Sequence, residues 1–270
     1  MVATPIGNLE DITLRALRVL REVDLVAAED TRTTRKLLAH FGIRVTLLSY
    51  NQHNAHHRLP RILQTLSQAD VALVSDAGVP LVSDPGHELV REASRQGFRT
   101  VPVPGPSAVT AAVAAAGMPA DAFYFLGFLP RVQKDRLGEL RAVAPLRQTL
   151  VAFEAPHRLR VSLGDMLAAL GDRQVAVCRE LTKVYEEVFR GCVSEALVHF
   201  QQPRGEFVLV ISGAAVSSGE GDVAWDVVRQ ELAALKANGY SRRDAVARVT
   251  AIHSISRRDA YHLWLEVSRG

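Results

Sequence analysis

The most constraining feature of the sequence is an apolar run that leads directly into a turn, VALVSDAGVPLVSDPG, at residues 71–86. Four consecutive apolar residues, Val71–Val74, are typical of a strand buried on both faces, as strands of parallel sheets are. The residues that follow are rich in glycine, proline and aspartate, which favour a turn. Ligands of open α/β sheets bind at the carboxyl ends of the strands. The segment therefore predicts a buried strand that ends in a ligand-binding turn.

Two further Pro/Gly turns, TPIGN at residues 4–8 and PGPS at residues 104–107, are each predicted to follow a strand directly. Strands that alternate with helices along a chain favour a parallel α/β sheet. The elements predicted here are a helix from Leu14, a strand Val23–Ala28, a helix Glu88–Gln96, a strand Thr100–Val103 and a helix Ala108–Ala116 capped by Ser107. The three turns are then expected to line one crevice.

Gly117 and Pro119 interrupt this pattern, and a second set of strands follows. These strands are predicted at Phe123–Leu126, Thr149–Phe153, Gln174–Cys178, Glu186–Gly191 and Phe207–Ser212. We therefore expect an α/β chain with a first domain at residues 1–117 and a second at residues 118–216. Ser217–Gly221 (SSGEG) is predicted to be a linker, and residues 222–270 are predicted to form a small helical segment.

Composition excludes several classes of protein. The chain has 270 residues, of which 48% are hydrophobic, enough to bury a sizeable core. Its longest apolar runs fall far short of the ~20 residues of a membrane-spanning helix, and it opens with no signal-peptide pattern. Cys178 and Cys192 match neither a metal motif nor a disulfide framework, which favours a reducing compartment. We expect a cytoplasmic protein that is not bound to a membrane.

The net charge of +3 is concentrated near the end of the chain, since residues 229–270 hold eight arginines and lysines and four acidic residues. A short repeat lies here: SRRDA occurs at residues 241–245 and again at residues 256–260, each with serine at a predicted helix cap. Arginine at a helix start opposes the helix dipole. The repeated arginines, Arg242, Arg243, Arg257 and Arg258, are therefore predicted to contact RNA. A DNA-reading helix-turn-helix is the alternative, but no recognition-helix pattern supports it.

The familiar nucleotide and catalytic motifs are missing. The sequence has no P-loop, no GxGxxG, no zinc-ligand spacing and no GxSxG elbow. The absent GxGxxG disfavours a nicotinamide oxidoreductase. His53, His56 and His57 have no carboxylate or cysteine at ligand spacing, so an exposed loop is predicted there and no metal site.

Seven motifs, taken in order, resemble the tetrapyrrole-methylase superfamily. They are TPIGNLEDIT, AEDTRTTRKLL, SDAGVPLVSDPG, PVPGPSA, FLGFLPR, FEAPHRL and RELTKVYEEVFRG, and the resemblance covers residues 2–213. Within the superfamily, AEDTR and EAPHR are most similar to enzymes that methylate the 2′-hydroxyl of a cytidine in 16S ribosomal RNA. The open alternatives are a corrin or porphyrin methylase of the same superfamily and a non-catalytic RNA-binding protein.

The resemblance implies two α/β domains with a deep cleft between them and S-adenosylmethionine as the methyl donor bound in that cleft. It also implies 16S ribosomal RNA or the small ribosomal subunit as partner, and a homodimer. The cofactor-binding residues that it implies are Pro5, Gly7, Asp76, Gly78, Val79, Pro80, Ser107, Ala108, Phe153 and Ile211.

Methyl transfer to a ribose hydroxyl benefits from a base that takes the hydroxyl proton. The candidates are the carboxylates Glu29 and Asp30, or Glu154 and His157 of the EAPHR motif, with Asp30 and Glu154 as the named catalytic residues. Two structural alternatives stay open. Asp30 would cap the following helix, and Glu154 would pair with Arg158 four residues later.

A basic helix face is predicted beside the crevice. Arg32, Arg35 and Lys36 are three and four residues apart, so they share a face on which RNA phosphates would bind. Arg158 is added to this predicted RNA-binding set. A solvated basic face without a ligand is the alternative.

Overall fold

The computed structural model describes residues 1–215, 225–253, 255 and 257–269. These residues form two compact units, Met1–Ala214 and Ala215–Gly270. The predicted linker Ser217–Gly221 lies outside the described residues. In the part of the chain that is described, no helix is long and apolar enough to cross a membrane.

The first sheet is small and parallel. Its strands are β1 (Leu25–Ala28), β2 (Thr46–Ser49) and β3 (Val71–Val74), in the order β2-β1-β3. All four residues of β1 are buried, as are Ala72, Leu73 and Val74 of β3, which confirms the strand predicted from the apolar run. The helices around this sheet are α1 (Leu14–Glu22), α2 (Thr31–His40), α3 (Ala55–Leu66) and α4 (His87–Arg95).

The chain start extends this sheet beside β3. The Val2 amide donates to the Leu73 carbonyl at 2.9 Å, and the Val103 amide donates to the Met1 carbonyl at 2.8 Å. Val103 makes one isolated bridge, to Val2. The predicted strand Thr100–Val103 is therefore wrong in length: the Val101 carbonyl accepts from the Met1 amino group at 3.0 Å, but only Val103 forms a bridge.

The second sheet is mixed. It contains β4 (Phe123–Phe128), β5 (Thr149–Glu154), β6 (Gln174–Arg179), β7 (Glu187–Cys192) and β8 (Phe207–Ile211) in the order β4-β5-β8-β6-β7. Only β4 and β5 are parallel, and the other pairs are antiparallel. All five predicted strands are present, with ends that differ by one or two residues.

Both faces of this sheet are covered, as expected for strands that are apolar at successive positions. On one face, α6 (Gln133–Val143), α7 (Leu159–Leu170) and α8 (Val193–His199) pack against residues such as Leu209. On the other, α5 (Ala108–Ala116) packs against residues such as Val210.

The position of α5 differs from the predicted domain division, which assigned residues 108–116 to the first domain. The helix AVTAAVAAA carries mostly methyl side chains, so its backbone lies close to the second sheet, and Ala112 is fully buried there. Helix α5 thus packs in the hydrophobic core of the second sheet, although it precedes the predicted domain boundary at residue 117.

The described residues of the second unit form three mutually packed helices, α9 (Trp225–Ala237), α10 (Arg242–His253) and α11 (Arg257–Arg269). Ser241 caps α10 as predicted: its hydroxyl accepts from the Asp244 amide at 3.2 Å and donates to the Asp244 carboxylate at 2.7 Å. The second predicted cap, Ser256, lies outside the described residues.

Candidate functional site

A cavity of about 490 Å³ opens at the carboxyl edge of the first sheet. This volume is in the range of small-molecule sites, about 300–1,000 Å³. From the first half of the unit the cavity is lined by Ile6, Glu29, residues 76–79, residues 82–84 and residues 107–109. From the second half it is lined by Phe128, residues 153–156, Cys178, Leu181 and residues 206–208. The cleft lies between the two sheets, as the superfamily resemblance implies.

The three predicted turns meet at this cavity. Thr4 and Gly78 exchange backbone hydrogen bonds of 2.9 and 3.0 Å, which join the first turn to the second. Gly78 has φ of 78°, and a side chain there would lie 3.6 Å from the Pro106 carbonyl oxygen of the third turn. The left-handed backbone favours glycine at this position, whereas 3.6 Å is an ordinary contact distance that shows the second and third turns packed together.

Three carboxylates face the cavity from the first half: Glu29, Asp76 and Asp84. Burial raises the pKa of Glu29, and the charges of Asp84 and Asp76 raise it further. Burial is also the main cause that raises the pKa of Asp76 and that of Asp84. Among the described residues, none of the three forms a salt bridge with a basic side chain. A cationic ligand would supply the missing charge.

The opposite wall is apolar and aromatic. The Phe153 ring contacts Phe125 and Phe128, with ring centroids 5.0 and 5.3 Å apart. Phe128 is 57% exposed although it is a large apolar residue, and Val208 and Leu181 line the same wall. This wall suits a flat, uncharged group.

Backbone strain is concentrated at the cavity. In the part of the chain described, the non-glycine residues with positive φ are Leu81, Ser83, Glu180 and Thr182. The first two flank Val82 and the last two flank Leu181, both of which line the cavity. Strained conformations of this kind persist where the surrounding structure enforces them, often at ligand sites.

Asp30 caps α2. Its carboxylate accepts from the Arg32 amide at 2.8 Å and from the Arg32 guanidinium at 2.6 Å. These hydrogen bonds lower the pKa of Asp30 to about 2. A carboxylate with so low a pKa is a weak proton acceptor, and Asp30 does not line the cavity. These contacts support the role of Asp30 as the cap of α2 rather than as a proton acceptor.

We therefore expect Asp30→Ala to lower the thermal midpoint by a few degrees, through loss of the helix cap. The rate of the methyl transfer that the superfamily resemblance implies should fall by much less than the roughly 10²-fold loss that removal of a general base causes. Thermal melts and initial rates at matched temperature check both effects. A loss of activity as large as that in a base-deleted enzyme would contradict the structural role.

Glu154 is buried, with only 2% of the residue exposed. One carboxylate oxygen accepts from Arg158 at 2.6 Å and from the Ala155 amide at 2.7 Å, and the other accepts from the Ser162 hydroxyl. Glu154 therefore pairs with Arg158, which was the structural alternative to a catalytic role, but the pair lies in the protein interior rather than on an exposed helix face. Both oxygens are occupied, which argues against proton acceptance.

Arg158 is committed to the same interior network. Beyond its pairing with Glu154, it donates to the Leu129 carbonyl at 2.9 Å, and its side chain is 17% exposed. This placement argues against the predicted RNA contact. His157 is exposed and does not line the cavity.

Nine of the ten predicted cofactor residues lie at or beside the cavity, in two groups. Asp76, Gly78, Val79, Ser107, Ala108 and Phe153 line the cavity. Pro5, Gly7 and Pro80 lie in its turns without lining it; a side chain on Gly7 would lie 2.5 Å from Lys183 Cγ. Ser107 occupies the cap position of α5, but its hydroxyl makes no capping hydrogen bond, contrary to prediction.

The prediction for Ile211 is not supported. Successive residues of a strand point to opposite faces, and Ile211 packs in the core under α6, α7 and α8. Val208, on the α5 side and at the other end of β8, lines the cavity instead. Sequence reasoning missed Val208, Leu181 and Phe128, although the FLGFLPR and RELTK motifs contain the last two.

The predicted RNA-binding arginines and lysine are mostly exposed. Arg35 and Lys36 lie on the exposed face of α2, and Arg32 pairs with Asp30 while its side chain stays 84% exposed. In the second unit Arg243, Arg257 and Arg258 are exposed, and Arg242 lies over the Tyr261 ring at 5.1 Å.

His56 and His57 lie in the first turn of α3, not in the predicted loop, and both are exposed. Within the described residues, no group of three or more histidine, cysteine, aspartate or glutamate side chains is arranged to hold a metal ion.

Comparison with known proteins places this geometry in a family. The family model for Tetrapyrrole (Corrin/Porphyrin) Methylases matches residues 1–197. A protein of Halalkalibacterium halodurans named ribosomal RNA small subunit methyltransferase I is 44% identical over 270 residues, 98% of this chain and 93% of that protein. A protein of the same name from Thermotoga maritima is 51% identical over 216 residues, 79% of this chain and 97% of that protein.

Solved structures show the same fold. A diphthine synthase superposes with a TM-score of 0.61 at 18% identity, over 78% of this chain and 88% of that one. Uroporphyrin-III-C-methyltransferase from Thermus thermophilus gives a TM-score of 0.53 at 22% identity, over 77% of this chain and 91% of that one. The chain belongs to the tetrapyrrole methylase family and, within it, to the group whose curated members are named ribosomal RNA small subunit methyltransferase I.

Proposed function

We propose that this protein transfers the methyl group of S-adenosylmethionine to the ribose 2′-hydroxyl of a cytidine in 16S ribosomal RNA. The observation that carries the proposal is the cavity with three carboxylates that lack a basic partner among the described residues. The relatives named for small-subunit ribosomal RNA methylation match nearly the whole chain, which supports the choice of acceptor.

The residues of the cavity fit the methyl donor. S-Adenosylmethionine has two cationic groups, a sulfonium and an ammonium, and a flat adenine. Asp76 and Asp84 would hold the cationic part beside the Gly78–Val79 backbone, with Ser107 and Ala108 continuing the pocket. Phe153, Leu181 and Val208 would pack against the adenosine. When bound, the donor supplies an electrophilic methyl group, and the protein's part is to align the acceptor with it.

Arg35 and Lys36 are the RNA contacts that the geometry favours in the first unit. Helix α2 begins two residues after Glu29, which lines the cavity, and both basic side chains are exposed on this helix. In the second unit, Arg242, Arg243, Arg257 and Arg258 are the proposed contacts. A cytoplasmic location and a homodimer complete the proposal; light scattering of the purified chain tests the dimer.

Mass mapping of 16S ribosomal RNA tests the function. RNA from a strain that lacks this gene should lose one ribose methyl group on a cytidine, and the purified protein with S-adenosylmethionine should restore it. An unchanged methylation pattern would overturn the choice of acceptor. Turnover of a corrin or porphyrin in its place would assign the chain to the macrocycle methylases, and absence of donor binding in calorimetry would indicate a non-catalytic RNA-binding protein.

Neutralising the basic face of α2 should weaken RNA binding in a salt-dependent way. We expect the Arg35→Ala/Lys36→Ala variant to reduce the slope of log affinity against log salt by about one to two, since each lost phosphate contact removes slightly less than one. Filter binding from low to high salt measures it. Arg44→Ala is the control for loss of an exposed positive charge. Arg44 precedes β2 and so lies at the amino end of the sheet, whereas the cavity lies at the carboxyl end. An equal slope change in the control would contradict the proposal.

A further inference from the structure

The proposed reaction needs a group that accepts the proton of the ribose hydroxyl, and the sequence alone leaves four candidates. Such a group must lie within hydrogen-bond reach of the acceptor oxygen, so its side chain must face the cavity with an oxygen or nitrogen available. Geometry therefore separates the candidates before any difference in acidity is considered.

Three candidates fail this requirement. The Asp30 carboxylate is held by Arg32 and by an amide at the start of α2. The two oxygens of Glu154 are held by Arg158, the Ala155 amide and Ser162. His157 is exposed outside the cavity.

Glu29 meets the requirement. It follows the last residue of β1 directly, lines the cavity and is half-buried. Its carboxylate accepts a hydrogen bond from the Asp76 amide, and in the described structure it has no salt-bridge partner. The cavity that Glu29 lines holds the cofactor and the acceptor in the proposed function.

The other two carboxylates that line the cavity from the first half, Asp76 and Asp84, belong to one turn and have different hydrogen-bond donors. Asp76 accepts from the Asp30 amide at 3.0 Å, and Asp84 accepts from the Ser75 hydroxyl. Both lie on the turn that contains Gly78, next to the proposed position of the donor. Glu29 follows the neighbouring strand, β1, and lies two residues before α2, the helix that carries the proposed RNA contacts Arg35 and Lys36.

We propose that Glu29 is the catalytic base, which accepts the proton of the 2′-hydroxyl as the methyl group is transferred. This inference rests on the proposed function. As the hydroxyl proton moves to the Glu29 carboxylate, the oxygen forms a bond to the methyl carbon. The carbon–sulfur bond breaks, and its electron pair stays on the sulfur, which becomes a neutral thioether. The protonated Glu29 then returns its proton to water.

The electrostatic surroundings strengthen the assignment. The groups that face Glu29 are Asp84, Asp76 and Asp30, all negative, and Arg32 is paired with Asp30 rather than with Glu29. Burial and these charges raise the pKa of Glu29 from its ordinary value of 4.5. A raised pKa makes the ionised carboxylate a stronger base.

The test compares Glu29→Gln with the wild type in single-turnover methylation of 16S ribosomal RNA, together with calorimetric binding of S-adenosylmethionine. We expect a loss of about 10²–10⁴-fold in rate, with donor affinity changed by only a few fold. The wild-type rate should fall as pH is lowered through the pKa of Glu29, and this dependence should be absent from the residual rate of the variant. Glu22→Gln, at the exposed end of α1, is the matched control.

Two results would overturn the proposal: a Glu29→Gln rate within tenfold of wild type, or a loss of donor binding as large as the loss in rate. If the variant does not fold, the wild-type pH dependence decides, with the Glu29 pKa measured by carbon-13 NMR. A methyl-transfer step independent of pH across that pKa would refute the role. Failure of the wild type to methylate the RNA would instead refute the proposed function.

Discussion

Replacing Asp165 with alanine is expected to lower the free energy of unfolding by about 3–5 kcal/mol, because it leaves a buried guanidinium without its counter-charge. Arg136 and Asp165 are 3% and 6% exposed, and Arg136 Nη2 lies 2.5 Å from Asp165 Oδ2. Urea unfolding measures the change. The exposed pair Arg18 and Glu22 supplies the control, since Glu22→Ala should cost at most about 1 kcal/mol.

The Asp165→Ala substitution should also disturb the cavity, because Arg136 holds the segment after β4 in place. Its guanidinium donates to the Pro130 carbonyl at 2.9 Å and to the Arg131 carbonyl at 3.2 Å. That segment follows Phe128, which lines the cavity. A double variant, Arg136→Met with Asp165→Leu, should recover part of the stability since it removes both charges. A cost for Asp165→Ala no larger than that of Glu22→Ala would contradict this account.

The predictable part of the fold is the part that the chain encodes locally. Strand β3 was predictable because four apolar residues are followed directly by turn-forming residues, and the three turns were expected to meet because carboxyl ends of parallel strands share an edge. Strand β2 escaped prediction, since only one of its four residues, Leu48, is buried. Helix α5 was predicted, but the sheet that it covers depends on contacts distant in sequence.

The errors in the candidate site have a common cause. All five residues of β8 are apolar and buried, so the sequence offers no alternation that separates the cavity face, with Val208, from the face that holds Ile211. For Glu154, the pairing with Arg158 was visible at four-residue spacing. Whether that pair is exposed or buried depends on how α7, with Ser162, packs against Glu154. No local sequence pattern encodes this packing.

Replacing Asp76 with asparagine is expected to weaken binding of S-adenosylmethionine by about 10–100-fold, because a hydrogen bond to a charged group contributes roughly 1.5–3 kcal/mol. The substitution keeps the shape of the side chain and an oxygen that accepts from the Asp30 amide. Calorimetric titration measures the affinity. Asp24→Asn is the matched control, since it removes an equal charge just before β1, at the amino edge of the sheet.

The same titration has an expected pH dependence. Burial and neighbouring negative charge raise the pKa values of Asp76, Glu29 and Asp84 above the usual 3.8 for aspartate and 4.5 for glutamate. A cationic ligand stabilises the ionised carboxylates, so binding lowers these pKa values and releases protons. Wild-type affinity is therefore complete above the raised values and decreases as pH falls through them, while the ligand's amine stays protonated. Asp76→Asn should flatten this decrease. Equal affinity in Asp76→Asn and Asp24→Asn at every pH would show that Asp76 does not face the cationic part of the donor.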